Sequence, residues 1–297
     1  MTQATWIEVS LLVPARMQEE AGTFLTEFSG RGVILEEEGV PPAGVRVRAF
    51  FRPEEWGPWQ EAELQEYLGR LSAYGLLPLS LERREVAEEE WAEAWKAHFK
   101  PMHVTPRLVI RPPWQEYPAG PEELVITIYP GMAFGTGRHP TTVLCLRALE
   151  EVWGPDLPLE AGPYPVLDVG TGTGILALAT ARLGAKVLAI DVDPEAVAAA
   201  LDNVRLNDLQ DRVWVEAAPL ASLRQQFALI LANLTAPDLL EWAEALAARL
   251  AAGGALIISG FLTADRPELE ARFLSLGLRP AESYLQEDWL ALTWRRH

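Results

Sequence analysis

The stretch from Tyr164 to Asp191, Y-P-V-L-D-V-G-T-G-T-G-I-L-A-L-A-T-A-R-L-G-A-K-V-L-A-I-D, constrains the fold more than any other part of the chain. Val166 to Val169 is a short apolar run with the character of a strand buried on both faces. Gly170, Gly172 and Gly174 then form a tight turn, Ile175 to Leu183 has helical spacing, and Val187 to Ile190 is a second apolar run closed by Asp191. Strand, glycine turn, helix, strand and acid in this order make the nucleotide-cofactor half of a doubly wound parallel sheet. The glycines permit positive φ and let a ligand lie against bare backbone. An acid at the end of the second strand suits paired hydrogen bonds from ribose hydroxyls.

Two residues bear on which cofactor. The spacing is G-x-G-x-G, and Ile175 stands where a dinucleotide fingerprint wants its last glycine. Asp168 lies two residues before Gly170, at the end of the strand. A carboxylate there repels a pyrophosphate but attracts, directly or through water, an ammonium group. S-adenosyl-L-methionine carries a ribose, an adenine and a methionine ammonium, and no phosphate. The residues therefore predict Asp168, Gly170, Gly172 and Asp191 as a site for that cofactor. A dinucleotide site and a purely structural turn are the alternatives.

The remaining chain supplies the rest of such a sheet. Asp193 and Pro194 open a helix that carries Asn203 and Asn207 at i, i+4. Strands are expected at Val213–Val215, Phe227–Ala232 and Ala255–Ser259, with helices over Ala236–Leu250 and Pro267–Leu276. Leu278–Leu285 and Trp289–Trp294 close the chain as an antiparallel edge hairpin. Five alternating strand–helix units, then a helix and a hairpin, describe the α/β, Rossmann-like, seven-stranded methyltransferase architecture. Upstream, alternation over Trp6–Val13 and Val45–Phe51, short strands near Val33–Leu35 and Leu76–Val86, and helical spacing after Pro14 and over Glu54–Tyr74 give β-α-β-β-α-β. That is the split arrangement of a small α+β ferredoxin-like domain. Between them, Trp91, Trp95 and Phe99 make one aromatic face of a linker helix, read as packing against a neighbouring domain. The expected boundaries are 1–86 for the ferredoxin-like, substrate-recognition domain, 87–103 for the linker helix and 104–297 for the catalytic domain.

Ligands of open α/β sheets bind beyond the carboxyl ends of the strands, where Gly170, Asp191 and Asn233 all fall. Asparagine after a strand often only turns the chain, but the convergence of three strand ends gives Asn233 a functional reading. Its amide would contact the methionine end of the cofactor, and the carbonyls of Asn233 and Leu234 would accept from an incoming amine. Thr141 and Thr142 stand at the mouth of a helix, where hydroxyls cap or meet a ligand. A net charge of −17 argues against direct nucleic-acid binding, which wants a basic face, and allows a basic protein partner. The single cysteine, Cys145, excludes an internal disulfide and fits a reducing cytoplasm. No apolar run is long enough to span a bilayer, and no third ligand joins His98 and His103, so neither membrane nor metal is expected.

Several segments together carry a resemblance. G-M-A-F-G-T-G-R-H-P-T-T (Gly131–Thr142), D-V-G-T-G-T-G-I-L-A-L-A, A-I-D-V-D-P-E-A-V, A-N-L-T-A-P-D-L-L and G-G-A-L-I-I-S-G-F-L closely resemble the bacterial ribosomal protein L11 methyltransferase family. E-W-A-E-A-W-K-A-H-F-K-P is similar to that family's interdomain linker. The match runs from about Glu88 to the C-terminus; over the first domain only size and element order agree. The resemblance implies S-adenosyl-L-methionine-dependent trimethylation of lysine and N-terminal amines on a large-subunit ribosomal protein; the chain itself is expected to be a cytoplasmic monomer. Its cofactor contacts carry over to Thr142, Gly170, Asp191 and Asn233, with Asn233 also the expected catalytic residue. Tyr129 and Arg138 depart from the family pattern. The alternatives are methylation of another protein amine and a non-catalytic protein-binding module on the same fold.

Overall fold

The computed structural model describes residues 5–14, 17–29, 33–38, 44–73, 80–87, 96, 99–129, 137, 139–154, 156–159 and 163–296. The chain divides into two compact units, Met1–Phe99 and Lys100–His297. Apart from Lys96 and Phe99, the helix expected over Glu88–Phe99 lies outside the described residues, as do loop residues 131–136 and 138.

In the first unit β1 (Thr5–Val13), α1 (Gln18–Ser29), β2 (Ile34–Glu38), β3 (Gly44–Phe51), α2 (Pro58–Ala73) and β4 (Ser80–Ala87) follow in order. The sheet order is β2-β3-β1-β4, with each neighbouring pair antiparallel. This is the split β-α-β arrangement. The period of two sends Val9, Leu11, Val13, Val45, Val47, Ala49 and Phe51 to one face, where they pack with Met17, Leu25, Leu64 and Leu71 of the helices. Helix α2 begins later than the expected Glu54. Pro53–Glu55 closes a separate 3-10 turn, and Pro58 then takes a first-turn position that needs no N–H donor.

The opposite face of this sheet carries charge. Glu8 is buried and accepts from Arg48 Nε (3.1 Å), Arg48 Nη2 (2.8 Å) and Arg84 Nη2 (3.1 Å), while Arg48 also reaches Glu36 at 3.3 Å. Burial alone would raise the Glu8 pKa, but the guanidinium groups of Arg48 and Arg84 outweigh it and hold the carboxyl below its ordinary value. Its stabilising contribution is therefore present at neutral pH and is lost as pH falls through that lowered value. Glu8→Ala is expected to destabilise the first unit by about 3 kcal/mol, the low end for a broken buried pair, because Arg48 keeps Glu36. Hydrogen exchange of the β1–β4 amides checks this; unchanged protection would remove the network's role.

The second unit opens with β5 (Met102–His103), β6 (Leu108–Arg111) and β7 (Leu124–Thr127), a small sheet in which β6 and β7 run parallel. Then come α3 (Pro140–Val152), β8 (Val166–Val169), α4 (Ile175–Arg182), β9 (Val187–Asp191), α5 (Pro194–Leu206), β10 (Val213–Ala217), β11 (Phe227–Asn233), α6 (Ala236–Arg249), β12 (Leu250–Leu262), α7 (Arg266–Ser275), β13 (Arg279–Gln286) and β14 (Trp289–Arg295). The seven-stranded sheet has the order β10-β9-β8-β11-β12-β14-β13. Strands β8 to β12 are parallel, and β14 and β13 return antiparallel at one edge. Strand β12 starts at Leu250, before the expected Ala255. The Gly253–Gly254 pair does more than end a helix: Gly253 N–H donates to Arg296 O and Arg296 N–H to Gly254 O, so the hairpin's end pairs there.

Helices α3, α4 and α5 cover one face of this sheet, and α6 and α7 the other. Both faces are buried, which is why the central strands read as unbroken apolar runs; Leu229 to Ala232 are all 0% exposed. Strand alternation decides the functional consequence. Val166, Ala189, Leu231 and Ile257 face α3–α5, so Asp168, Asp191, Asn233 and Ser259, each two residues further on, lie on that same side at the strands' carboxyl ends. Among the described residues no helix is long and apolar enough to cross a membrane, and no cluster of three or more His, Cys, Asp or Glu could hold a metal ion.

Candidate active site

The turn after β8 is built on left-handed backbone. Gly170, Gly172 and Gly174 have φ of +66°, +54° and +82°, a region costly for any residue with a Cβ. Gly174 also serves as the N-cap of α4, and it has no side chain with which to cap. Asp168 supplies the missing acceptor from the strand: its Oδ2 accepts from Ala177 N–H (3.1 Å) and Thr171 Oγ1 (2.6 Å). A carboxylate at a helix N-terminus satisfies an orphan amide and meets the positive end of the helix dipole. On the other side of the turn, Asp191 Oδ2 accepts from Gly172 N–H (3.0 Å) and Oδ1 from Asp193 N–H (3.1 Å). Each of these oxygens keeps a second lone pair for a ligand hydroxyl.

A cavity of roughly 660 Å³ opens beside this turn. Gly170, Gly172, Asp191 and Asn233 line it, from three different strand ends. Its described lining includes the carboxylates of Asp191, Asp193 and Asp238 and no lysine or arginine. Thr142 and Asp168 do not line it; both are buried, beside chain neighbours Thr141, Val169 and Gly170 that do. Burial drives the Asp168 pKa up to about 7; the donors Thr171 and Ala177 oppose the rise and the charge of Asp191 adds to it. Cys145, one helical turn from Thr142, is fully buried near Asp168, and burial pushes its thiol well above the ordinary range, so it is unreactive.

Thr142 Oγ1, Asp168 Oδ1 and Asn233 Oδ1 are all buried without a hydrogen-bond partner among the described residues. An unpaired buried polar atom costs about 1–3 kcal/mol. Asn233 lines the cavity and the other two lie beside residues that do, so the site fits a ligand that supplies donors, which is what an ammonium and a ribose offer.

Other lining residues escape local sequence reasoning. His139 caps α3, its Nδ1 accepting from Thr141 N–H (3.4 Å), and its ring meets Trp289 edge-on with centroids 4.8 Å apart. Burial holds the His139 pKa below the ordinary histidine value, against the charge of Glu287. Trp242 comes from α6 and Trp289 from the start of β14, far along the chain. His139 sits inside the glycine-rich loop motif and that signal was available; nothing local marks the two tryptophans.

Leu234, next to Asn233, is clasped between two glycines. A Cβ on Gly170 would fall 2.5 Å from Leu234 Cδ2, and one on Gly260 would fall 2.2 Å from the Leu234 carbonyl oxygen. Gly260 also has φ +99°. Gly260→Ala must displace the Leu234 backbone, with an expected loss of about 3 kcal/mol from strain and overpacking together. Calorimetric melting of the variant checks this, and an unchanged melting temperature would show that the contact yields freely.

A family model described as ribosomal protein L11 methyltransferase matches residues 5–297. The chain is 40% identical over 304 residues to the ribosomal protein L11 methyltransferase of Pelobacter propionicus, covering 98% of this chain and 97% of that protein. It is 39% identical over 310 residues to that of Geobacter metallireducens, covering 98% of each. Among solved structures, the ribosomal protein L11 methylase of Lactobacillus delbrueckii subsp. bulgaricus aligns with a TM-score of 0.60 at 32% identity, over 67% of this chain and 100% of that one. The matched span includes the first unit, for which the sequence motifs alone offered little. With the glycine turn, the strand order and this near-full-length similarity together, the chain belongs to the ribosomal protein L11 methyltransferase family.

Proposed function

We propose that this chain transfers methyl groups from S-adenosyl-L-methionine to lysine side-chain and N-terminal amines of a ribosomal protein of the large subunit, the L11 protein of its relatives' names. The observation that carries the reading is the cavity's chemistry. It has carboxylates and the unpaired Asn233 Oδ1 around a glycine turn, and no lysine or arginine among the described lining residues to hold a phosphate. A cationic nucleoside suits that lining; a pyrophosphate does not.

In this reading Asp191 holds the ribose hydroxyls, Gly170 and Gly172 give close backbone approach, and Thr142, Asp168 and Asn233 hold the methionyl end. When bound, the cofactor supplies an electrophilic methyl group on a sulfonium. The acceptor lysine must arrive neutral, which from a free pKa near 10.4 costs about 4–5 kcal/mol at neutral pH. Desolvation in the cavity favours the neutral form. The amine nitrogen would form the new bond to the methyl carbon with its lone pair as the methyl–sulfur bond breaks, that bond's electron pair staying on the sulfur, and would afterwards release a proton to solvent. Asn233 and the Leu234 carbonyl orient that amine, and the remaining barrier is lowered by positioning rather than by a dedicated general base. Residues 1–86 serve as the substrate-recognition domain, and an acidic chain of net charge −17 suits a basic ribosomal protein met in the cytoplasm before assembly.

The test is incubation with labelled S-adenosyl-L-methionine and purified ribosomal proteins, read by intact mass. Mass steps of one methylene, up to three per amine, on a large-subunit protein are expected. Label on nucleic acid would point to a different methyltransferase. Cofactor binding without any transfer would leave a protein-binding module.

A further inference from the structure

Asn203 and Asn207 stand one turn apart on α5, and both are buried, at 1% and 2% exposure. Their amides reach backbone of other segments, and Asn207 Nδ2 also donates to Asn203 O (2.7 Å). Asn207 Oδ1 accepts from Thr127 N–H (2.8 Å) and its Nδ2 donates to Thr127 O (2.6 Å), so it pairs with the last residue of β7 as another strand would. Asn203 does something different. Its Oδ1 accepts from Tyr129 N–H (2.8 Å), just past β7, while its Nδ2 donates to Thr173 O (2.9 Å), inside the glycine turn. Ala200, one turn earlier on the same face, backs the turn so closely that a Cβ on Gly174 would lie 3.3 Å from its own Cβ.

The cofactor turn is thus held by side chains from three elements. Asp168 of β8 takes Thr171 Oγ1, Asp191 of β9 takes Gly172 N–H, and Asn203 of α5 takes Thr173 O. The first two side chains accept and the third donates, and its donation fixes the turn's carbonyl at Thr173. Asparagine is the smallest side chain that offers a donor and an acceptor on two separate atoms, so it can bridge two backbone groups at once. Asn207, with the same chemistry, touches β7 but not the turn.

We infer that Asn203 is a positioning residue for the cofactor: its amide locks the Thr173 carbonyl to the exit of β7, and this sets the turn that Gly170 and Gly172 present to the ligand. The inference rests on the cofactor site proposed above. The experiment measures S-adenosylhomocysteine affinity by calorimetry, melting temperature, and hydrogen exchange at the Tyr129 amide, in the full chain and three variants. Asn203→Ala removes both bonds. Asn203→Asp keeps the acceptor for Tyr129 N–H but replaces the donor facing Thr173 O. Asn207→Ala is the matched control.

Both Asn203 variants should bind about tenfold more weakly or worse, the effect of one lost buried hydrogen bond on the turn. Protection of the Tyr129 amide should survive in Asn203→Asp and fall in Asn203→Ala. Asn207→Ala should lower the melting temperature while affinity stays within about threefold of the parent. Parent-like affinity in both Asn203 variants overturns the inference, as does an equal affinity loss in Asn207→Ala. If neither Asn203 variant folds while Asn207→Ala does, the residue is a stability element and the inference is likewise overturned. A parent chain that fails to bind S-adenosylhomocysteine refutes instead the cofactor reading itself.

Discussion

Asn233→Ala is expected to lower kcat for methyl transfer by about 100-fold or more, with a much smaller change in cofactor affinity. Asn233 ends β11 with a buried, unpartnered Oδ1 and lines the cavity opposite Asp191. Its neighbour Leu234 is fixed between Gly170 and Gly260, and Leu234 N–H donates to Ser259 O at 2.9 Å. The amide is therefore held by a backbone with little freedom to compensate, and alanine removes the orienting group without disturbing the support beneath it. Initial rates with labelled cofactor, alongside binding of S-adenosylhomocysteine, separate the two effects. A variant that transfers methyl groups at the parental rate would end this assignment.

Asp168→Asn is expected to move stability and affinity in opposite directions. Burial holds the proton on this carboxyl up to about 7 in the folded chain, against an ordinary value of 3.8. The unfolded chain releases that proton near the ordinary value. Between the two values the folded state binds more protons, so this group's contribution to stability is full below the lower value and is lost as pH rises through the higher one. The whole window corresponds to roughly 4 kcal/mol. An asparagine escapes that loss, and its oxygen can still accept from Thr171 Oγ1 and Ala177 N–H. The ligand-free variant should therefore melt higher than the parent at about pH 8 and show no such gain at about pH 4. A ligand ammonium favours the ionised carboxylate, so the variant should bind S-adenosylhomocysteine about 10- to 100-fold more weakly at the higher pH. Parental affinity should itself weaken as pH falls below about 7, where the folded carboxyl takes up its proton. Stability and affinity falling together in the variant would show that Asp168 serves only to hold the turn.

The glycine turn is legible in the residues because its cause is local. Three glycines in five positions ask for positive φ, and all three adopt it. The parallel strands are legible for a related reason: a run buried on both faces has no polar residue until its end, so Asp191 and Asn233 stand out where the apolar run stops. Alternation adds that they share a side. The same rules mislead at Gly253–Gly254, where glycines that read as a helix stop instead sit within a strand paired to Arg296. They also mislead at Glu54, where helical spacing is divided by Gly57 and Pro58.

Sequence alone determined the doubly wound sheet and the glycine turn and favoured a phosphate-free cofactor over the dinucleotide alternative, since periodicity, backbone conformation and the sign of a charge are properties of neighbouring residues. Only the tertiary structure decided what each polar atom does. It turned half of Asp168 into a cap for α4 and left its other oxygen unpaired, brought His139 against Trp289, and joined the exit of β7 to the glycine turn through Asn203. Those outcomes depend on which helix lies over which strand end, and at what register. Packing sets that across the whole unit, and no window of adjacent residues contains it.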